Sequence, residues 1–274
     1  MSQKQNFMNW NDPGVALITG ASSGIGAAYA RTLSTQGFKT ILVARRKERL
    51  EALAKELEHK STNRATVLVA DLSKIEDIMT VANKIKGFNE LNVLVNSAGF
   101  ADSGYFENLP LDAISDMIFV HNLAPVHFSR AVLPGMIKRN RGVIINVSSM
   151  AAFTVRPQSV MYGSTKSFLN KFSEVLQSEL HDTDVKVQAL CPGYTRTDIF
   201  KGKYVKDFDP SSISEERWMS ADEVVDLSLS AVHSDEVVFI PGEVNQKFIE
   251  KYTDPVVGKK YREYIINSRK IPRK

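Results

Sequence analysis

Ser149, Tyr162 and Lys166 are the residues of this chain whose types and spacing best suit chemistry: a hydroxyl, a phenol and an ammonium that could meet around one carbonyl. Tyr162 and Lys166 are four positions apart, so on a helix both side chains project from one face and the ammonium lies beside the phenol. A free phenol ionises near pH ~10, and a neighbouring cation favours the phenolate, which predicts a value drawn down toward the range useful to a general acid or base. Tyr162 is therefore the candidate proton donor. Ser149 ends the apolar run that begins at Gly142, which reads as a buried parallel strand. Its hydroxyl then stands at a carboxyl end, where open α/β sheets place ligands. Taken alone, a YxxxK pair is more often a surface Tyr and Lys on an ordinary helix.

The elements that must position this set begin at the amino terminus. Asp12-Pro13-Gly14 is a turn, Val15 to Ile18 a short apolar strand, and Thr19-Gly20-Ala21-Ser22-Ser23-Gly24-Ile25-Gly26 opens a helical pattern from Ala27 to Gln36. Glycine lets the backbone turn sharply and approach a diphosphate, and the free N–H groups of a helix start attract its charge. The spacing is G-x-x-x-G-x-G, with no G-K-[ST] ending of an ATP-type loop. A glycine loop can be only a tight turn; between a first strand and a helix, a phosphate loop is the stronger reading.

With both pieces in hand, the sequence resembles the short-chain dehydrogenase/reductase family from about Pro13 to Gly242. Thr19 to Gly26, with Gly20, Ser22, Ser23, Gly24, Ile25 and Gly26, is similar to its TGxxxGxG cofactor loop, and Asn96-Ser97-Ala98-Gly99 to its NNAG segment. Asn122, Ser149, Tyr162 and Lys166 match its catalytic set, and Pro192, Gly193, Thr195 and Thr197 its PG segment beside the nicotinamide. Ser97 departs from the family, which more often has a second Asn there. The segments Val43 to Arg46, Asp71-Leu72-Ser73 and Cys191 to Thr197 look most like a mainly bacterial oxidoreductase branch, which also resembles ketoacyl-CoA and steroid reductases.

The resemblance implies a ketone or aldehyde reduced to an alcohol, or the reverse. Tyr162 protonates the developing alkoxide, Ser149 stabilises that oxygen, Lys166 holds the nicotinamide ribose and keeps Tyr162 acidic, and Asn122 supports a water relay. It also implies that Asp71 contacts the adenine amino group and Asn96 the sheet on the adenosine side. At the end of the second strand a carboxylate would bind free ribose hydroxyls, but this chain has Arg45-Arg46. A guanidinium suits a 2′-phosphate, so NADP is favoured over NAD, with Arg45 the chief partner. The plainer alternative is that both arginines only begin the Glu48 helix as solvated charges. A different class of function, a non-catalytic dinucleotide-binding sensor or scaffold, would not need the intact proton relay.

Across its 274 residues the chain is 43% hydrophobic and 24% charged, a globular composition long enough for one large two-faced core. Apolar runs at Val15 to Ile18, Thr40 to Ala44, Ala65 to Ala70, Leu91 to Val95, Val143 to Val147, Val185 to Leu190 and Val237 to Ile240 alternate with amphipathic stretches. They predict a single doubly wound α/β Rossmann-type domain over 13–242, with about seven mostly parallel strands. It is preceded by an extension over 1–12 and followed by a basic helical tail over 243–274. Glu48 to Lys60 is the clearest helix; Asp112 to Arg139 and Ser159 to His181 are the longest, and Pro134 is placed to kink the former. In the resembled family these two commonly build a subunit interface, so a homodimer or homotetramer is expected.

The stretch Thr195 to Trp218 breaks the alternation and carries Phe200, Tyr204, Phe208 and Trp218. It reads as a substrate lid over 195–218, or else as an insertion whose aromatics pack down for stability. With Phe100, Tyr105, Phe106, Phe153 and Val155 it suggests a substrate with an apolar portion, while Lys201, Lys203 and Lys206 keep an anionic acyl-carrier or CoA ester open. The formal net charge of +4 gives a nucleic-acid role little help, although Lys259, Lys260, Arg262, Arg269, Lys270, Arg273 and Lys274 cluster at the end. That end reads as solvated, with weak attraction to anionic membranes the sharper alternative. No run is long enough to span a bilayer and the start shows no secretory pattern, so a cytoplasmic location is expected. Cys191 reads as a buried strand end, His121 as hydrogen-bonded structure, and no ligand set has zinc spacing, so no metal is expected.

Overall fold

The computed structural model describes residues 6–268 apart from 62, 203, 206 and 207. In chain order its elements are β1 (Val15–Thr19), α1 (Gly24–Thr35), β2 (Lys39–Ala44), α2 (Lys47–Lys60), β3 (Ala65–Val69), α3 (Ile75–Ile85), β4 (Leu91–Asn96), α4 (Leu111–Ile118), α5 (Ala124–Lys138), β5 (Gly142–Val147), α6 (Val160–Glu179), β6 (Val185–Leu190), β7 (Tyr194–Thr195), β8 (Trp218–Met219), α7 (Ala221–Ala231), β9 (Val238–Phe239), α8 (Glu243–Thr253) and α9 (Val257–Ser268).

Successive strand residues point to opposite faces, and here both faces are apolar. Ala16, Ile18, Leu42, Val93, Val95 and Val143 enter one core with residues of α1, α2 and α7. Their neighbours Leu17, Ile41, Val43, Leu94 and Ile144 enter a second core with α3 and α5. Each such Val, Leu or Ile side chain contributes about 1.5–3 kcal/mol by leaving water, and a sheet buried on both sides takes parallel strands joined by crossover helices. Seven strands pair in the order β3-β2-β1-β4-β5-β6-β9, every pairing parallel. The chain winds outward from β1 to β3, then returns to β4 on the other side of β1. The carboxyl ends of β1 and β4 therefore open the crevice where such sheets bind ligands.

Two local features depart from the sequence reading. The run expected from Asp112 to Arg139 as one helix is divided by a π-helical turn, Phe119–Leu123, between α4 and α5. Pro125 follows at the start of α5 and has no N–H to continue the regular bonding, so the helix widens there. Pro134 lies inside α5 without ending it. The second departure is β7 paired with β8, a small parallel ribbon at the two ends of the segment expected as a lid. Among the described residues no helix is long and apolar enough to cross a membrane. Lys203, Lys206, Arg269, Lys270, Arg273 and Lys274 lie outside the described residues.

Candidate active site

The loop between β1 and α1 is shaped by close backbone approach. Gly20 has φ +67°, and a Cβ on it would come 2.9 Å from the backbone of Ala98. A Cβ on Gly26 would come 2.5 Å from the carbonyl oxygen of Gly20. Neither position accepts a side chain without moving the loop. Thr19 fixes the facing segment: its Oγ1 accepts the N–H groups of Ser97 and Ala98, each at 3.0 Å. Asn96 lies behind, its Nδ2 donating to Asn146 Oδ1 at 2.8 Å across β4 and β5. Helix α1 then starts with no side-chain cap and no acidic residue in its first turn, which leaves its first N–H groups suited to an anion.

The two arginines occupy different places. Arg46 donates from Nε and Nη2 to Ser22 Oγ at 3.0 and 2.8 Å, and from Nη2 to Ser23 Oγ at 2.6 Å. Arg45 is more exposed, with Nη1 3.9 Å from Asp71 Oδ1. Asp71 Oδ1 also accepts from the Ser73 N–H and hydroxyl at 3.2 and 2.9 Å, and Leu72 beside it is buried. A glycine cradle, an uncapped helix start and a guanidinium over two loop hydroxyls fit the diphosphate and a ribose phosphate of a dinucleotide.

Beyond the ends of β5 and β6 the proposed reacting groups converge. Ser149 Oγ accepts the Ala151 N–H at 3.1 Å and hydrogen-bonds the phenol of Tyr162. Asn122, turned inward by the π-helical turn, donates from Nδ2 to Thr165 O at 2.9 Å, on the helix that carries Tyr162 and Lys166. Lys166 is buried, and its Nζ donates to Val147 O at 2.8 Å while standing 5.6 Å from the Tyr162 ring centroid. Gly99 borders it: a Cβ there would lie 3.6 Å from Nζ. Met150 N–H donates to Pro192 O at 3.1 Å, and Thr195 Oγ1 to Gly193 O at 3.2 Å. Thr197 reaches the glycine loop, its Cγ2 falling 2.9 Å from where a Gly24 Cβ would be. The PG segment thus bridges the reacting groups and the loop.

The ionisation of Tyr162 corrects the sequence expectation. Burial pushes the phenol above its ordinary value, and the Asp102 carboxylate acts in the same direction; the Ser149 hydrogen bond only opposes them. The Lys166 ammonium is turned to Val147 O, and burial brings its own pKa down to about 8. Cys191 is buried, its thiol pushed up to about 12, and it is no nucleophile in this state. His121 is fully buried, with burial and the Lys166 charge holding it well below the ordinary imidazole value. Its Nε2 accepts the Phe100 N–H at 3.1 Å, so the ring proton sits on Nδ1, 2.9 Å from Thr165 Oγ1. This neutral ring ties the segment after β4 to α6.

Sequence reasoning missed two positioning residues. Asp102 is 8% exposed and its carboxyl accepts the Tyr162 backbone N–H at the start of α6, while its Oδ1 is buried with no partner among the described residues. Tyr252 of α8 accepts the Val155 N–H at 2.7 Å and donates to Val155 O at 3.2 Å, bracing the loop after Ser149 from a distant part of the chain. Neither has a local motif to announce it. In the segment after β7, Phe200, Phe208 and Trp218 pack on one another and on Tyr194, with Phe200 and Phe208 stacked at 4.1 Å. Beside them is a cavity of about 530 Å³ whose lining includes Phe200, Phe208, Trp218, Arg196 and Lys201. Tyr204 lies apart, its ring 5.6 Å from Phe100 and its carbonyl accepting the Ser103 N–H at 2.9 Å.

A parallel sheet with a glycine loop at its crevice and a Ser-Tyr-Lys-Asn group beyond β5 defines a dinucleotide-dependent oxidoreductase class. A family model described as short chain dehydrogenase matches residues 14–207, and the chain belongs to that family. It is 37% identical over 191 residues to a very-long-chain 3-oxoacyl-CoA reductase of Anas platyrhynchos, covering 68% of this chain and 61% of that protein's length. With an uncharacterized oxidoreductase of Staphylococcus saprophyticus it shares 33% identity over 205 residues, 73% of this chain and 88% of the relative. Among solved structures, a short-chain dehydrogenase from Sphingobium yanoikuyae in complex with NADPH superposes with a TM-score of 0.79 at 32% identity, covering 96% of this chain and 98% of that one.

Proposed function

We propose that this chain is an NADP(H)-dependent carbonyl reductase acting on a ketone or aldehyde with a sizeable apolar portion. The observation that carries the reading is the meeting of Ser149, Tyr162, Lys166 and Asn122 around the start of α6, with Ser149 on the phenol. A module that only binds a dinucleotide has no use for it. The cofactor, when bound, supplies or accepts the hydride. Gly20, Ser22, Ser23, Gly24, Ile25 and Gly26 are suited to hold its diphosphate, and Asp71, Leu72, Asn96, Ala98, Gly99, Pro192, Gly193, Thr195 and Thr197 border the same crevice. Arg46 with Arg45 is suited to a 2′-phosphate, with Arg46 taking the leading part because it already reaches the loop.

Tyr162 holds its proton at neutral pH, since burial raises its pKa, and delivers it to the oxygen of the substrate carbonyl as charge develops there. Ser149 donates a hydrogen bond to that oxygen. Lys166, with its pKa of about 8, carries an ammonium suited to donate to a ribose hydroxyl as well as to Val147 O. Segment 195–218 is read as the cover of the site, and the aromatic cluster of Phe200, Phe208 and Trp218, with Phe100 and Tyr204 nearby, supports an apolar acyl or ring portion. The relation to a 3-oxoacyl-CoA reductase supports the same substrate character. NADPH absorbance with carbonyl compounds of increasing chain length, alongside small polar keto acids and sugars, tests this reading. Activity rising with apolar length is expected; highest activity on the small polar compounds, flat with chain length, contradicts the pocket assignment, and no turnover of any carbonyl contradicts the reaction.

A further inference from the structure

The segment after the PG turn carries a carboxylate that lies on the same cations as the proposed phosphate site. Asp198 opens a short 3-10 turn, Asp198–Lys201, capped by Thr197. Its Oδ2 is 3.0 Å from Arg49 Nη1 and 4.0 Å from Arg46 Nη1, and its Oδ1 is 3.5 Å from Lys201 Nζ. Arg46 donates at the same time to Ser22 and Ser23. One guanidinium therefore joins the glycine loop to the first turn of the segment expected to cover the substrate. The loop and the segment also touch directly, through Thr197 Cγ2 at Gly24.

We infer that Asp198 is a specificity-determining residue that shares Arg46 with the 2′-phosphate of the dinucleotide, coupling the bound cofactor to the position of segment 195–218. This rests on the reading of Arg46 as a phosphate partner. A phosphate that takes the donors of Arg46 brings two negative groups onto one cation, and like charges at that separation repel. Asp198 is partly exposed and its turn is short, so it yields by moving toward Arg49, which already holds it more closely. Arg49 is then the residue that keeps this carboxylate away from the phosphate. Because Asp198 follows Thr197 directly, its movement shifts the packing on Gly24, and cofactor binding reaches the cover through a change of ionic partner.

Direct binding titrations of NADPH and NADH to the full chain test this. Asp198→Asn is expected to tighten NADPH by a few-fold to about tenfold with NADH unchanged, an effect that shrinks at high salt as exposed charge interactions do. Arg49→Met, which leaves Asp198 to Arg46, is expected to weaken NADPH selectively. In the absence of cofactor, Asp198→Asn is also expected to speed proteolytic cleavage within 195–218, because an anchor to α2 is lost. An NADPH-to-NADH affinity ratio that stays within about twofold of wild type in Asp198→Asn, or an equal change for both cofactors, overturns the inference while leaving the cofactor assignment standing. Asp198→Ser carries the same expectation, so a fault peculiar to the Asn variant cannot mimic either result. A wild type that binds NADH as tightly as NADPH overturns the assignment of Arg46 and this inference with it.

Discussion

Lys166 is held in a place that costs the fold something. Its pKa falls from the ordinary 10.5 to about 8 because burial penalises the ammonium, and Val147 O is its hydrogen-bond partner. Below pH 8 the folded chain carries this charge at a cost of up to about 3 kcal/mol. As pH rises from 8 to 10.5, the folded lysine is neutral while the unfolded one still binds its proton, so stability increases over that window; above it the cost is gone. Lys166→Met should therefore stabilise the fold by about 1–3 kcal/mol at pH 7, the lost hydrogen bond being set against the removed charge. That gain should vanish near pH 10.5 even as turnover and cofactor affinity fall. Denaturant unfolding at both pH values measures it; an equal effect at both would show that burial of the charge is not the cause. The spacing of Tyr162 and Lys166 was legible in the sequence because a helix repeat places them on one face. Their protonation was not, since the phenol answers to burial and to Asp102, residues away in the chain, more than to its helical neighbour.

At the scale of elements, the strands were readable because each is a run of apolar residues bounded by turns, and helix α2 because Leu50, Leu53, Ala54 and Leu57 form one buried stripe. The π-helical turn that brings Asn122 to Thr165 was not, because one widened turn hardly disturbs a helical hydrophobic pattern. The ribbon of β7 and β8 escaped for a related reason: strands of two residues carry no period. Nor does the sequence show that α8 braces the site. Tyr252→Phe removes both hydrogen bonds to Val155 and leaves its N–H without that acceptor. The expected result is a loss of about 1–3 kcal/mol of stability and a raised KM with kcat little changed, since on the proposed reading the loop of Val155 serves the substrate and not the proton path. Thermal unfolding with steady-state kinetics decides; an unchanged KM together with a fall in kcat would place Tyr252 in the chemistry itself.

The molecule as a whole is a sheet with two cores whose winding leaves one crevice, and the glycine loop and the proposed reacting groups border it. Family membership and the superposition on an NADPH-bound relative agree with that architecture. The fold and much of the proposed site were readable together because the glycine loop, Asn96, Ser149 and Pro192-Gly193 lie at or just past strand ends, where the topology itself decides what can meet. The segment proposed as a cover was readable only as an interruption; within it Phe200, Phe208 and Trp218 pack on one another while the Tyr204 ring meets Phe100.

The claim that Tyr162 is the proton donor of a reductase is tested most directly by Tyr162→Phe, assayed for NADPH binding by titration and for carbonyl turnover by NADPH absorbance in the same preparation. Removing the hydroxyl while keeping the ring should leave cofactor affinity close to wild type and lower kcat by about 10²–10⁴-fold, the contribution of a positioned general acid. Turnover within a few-fold of wild type, with binding intact, would contradict the account.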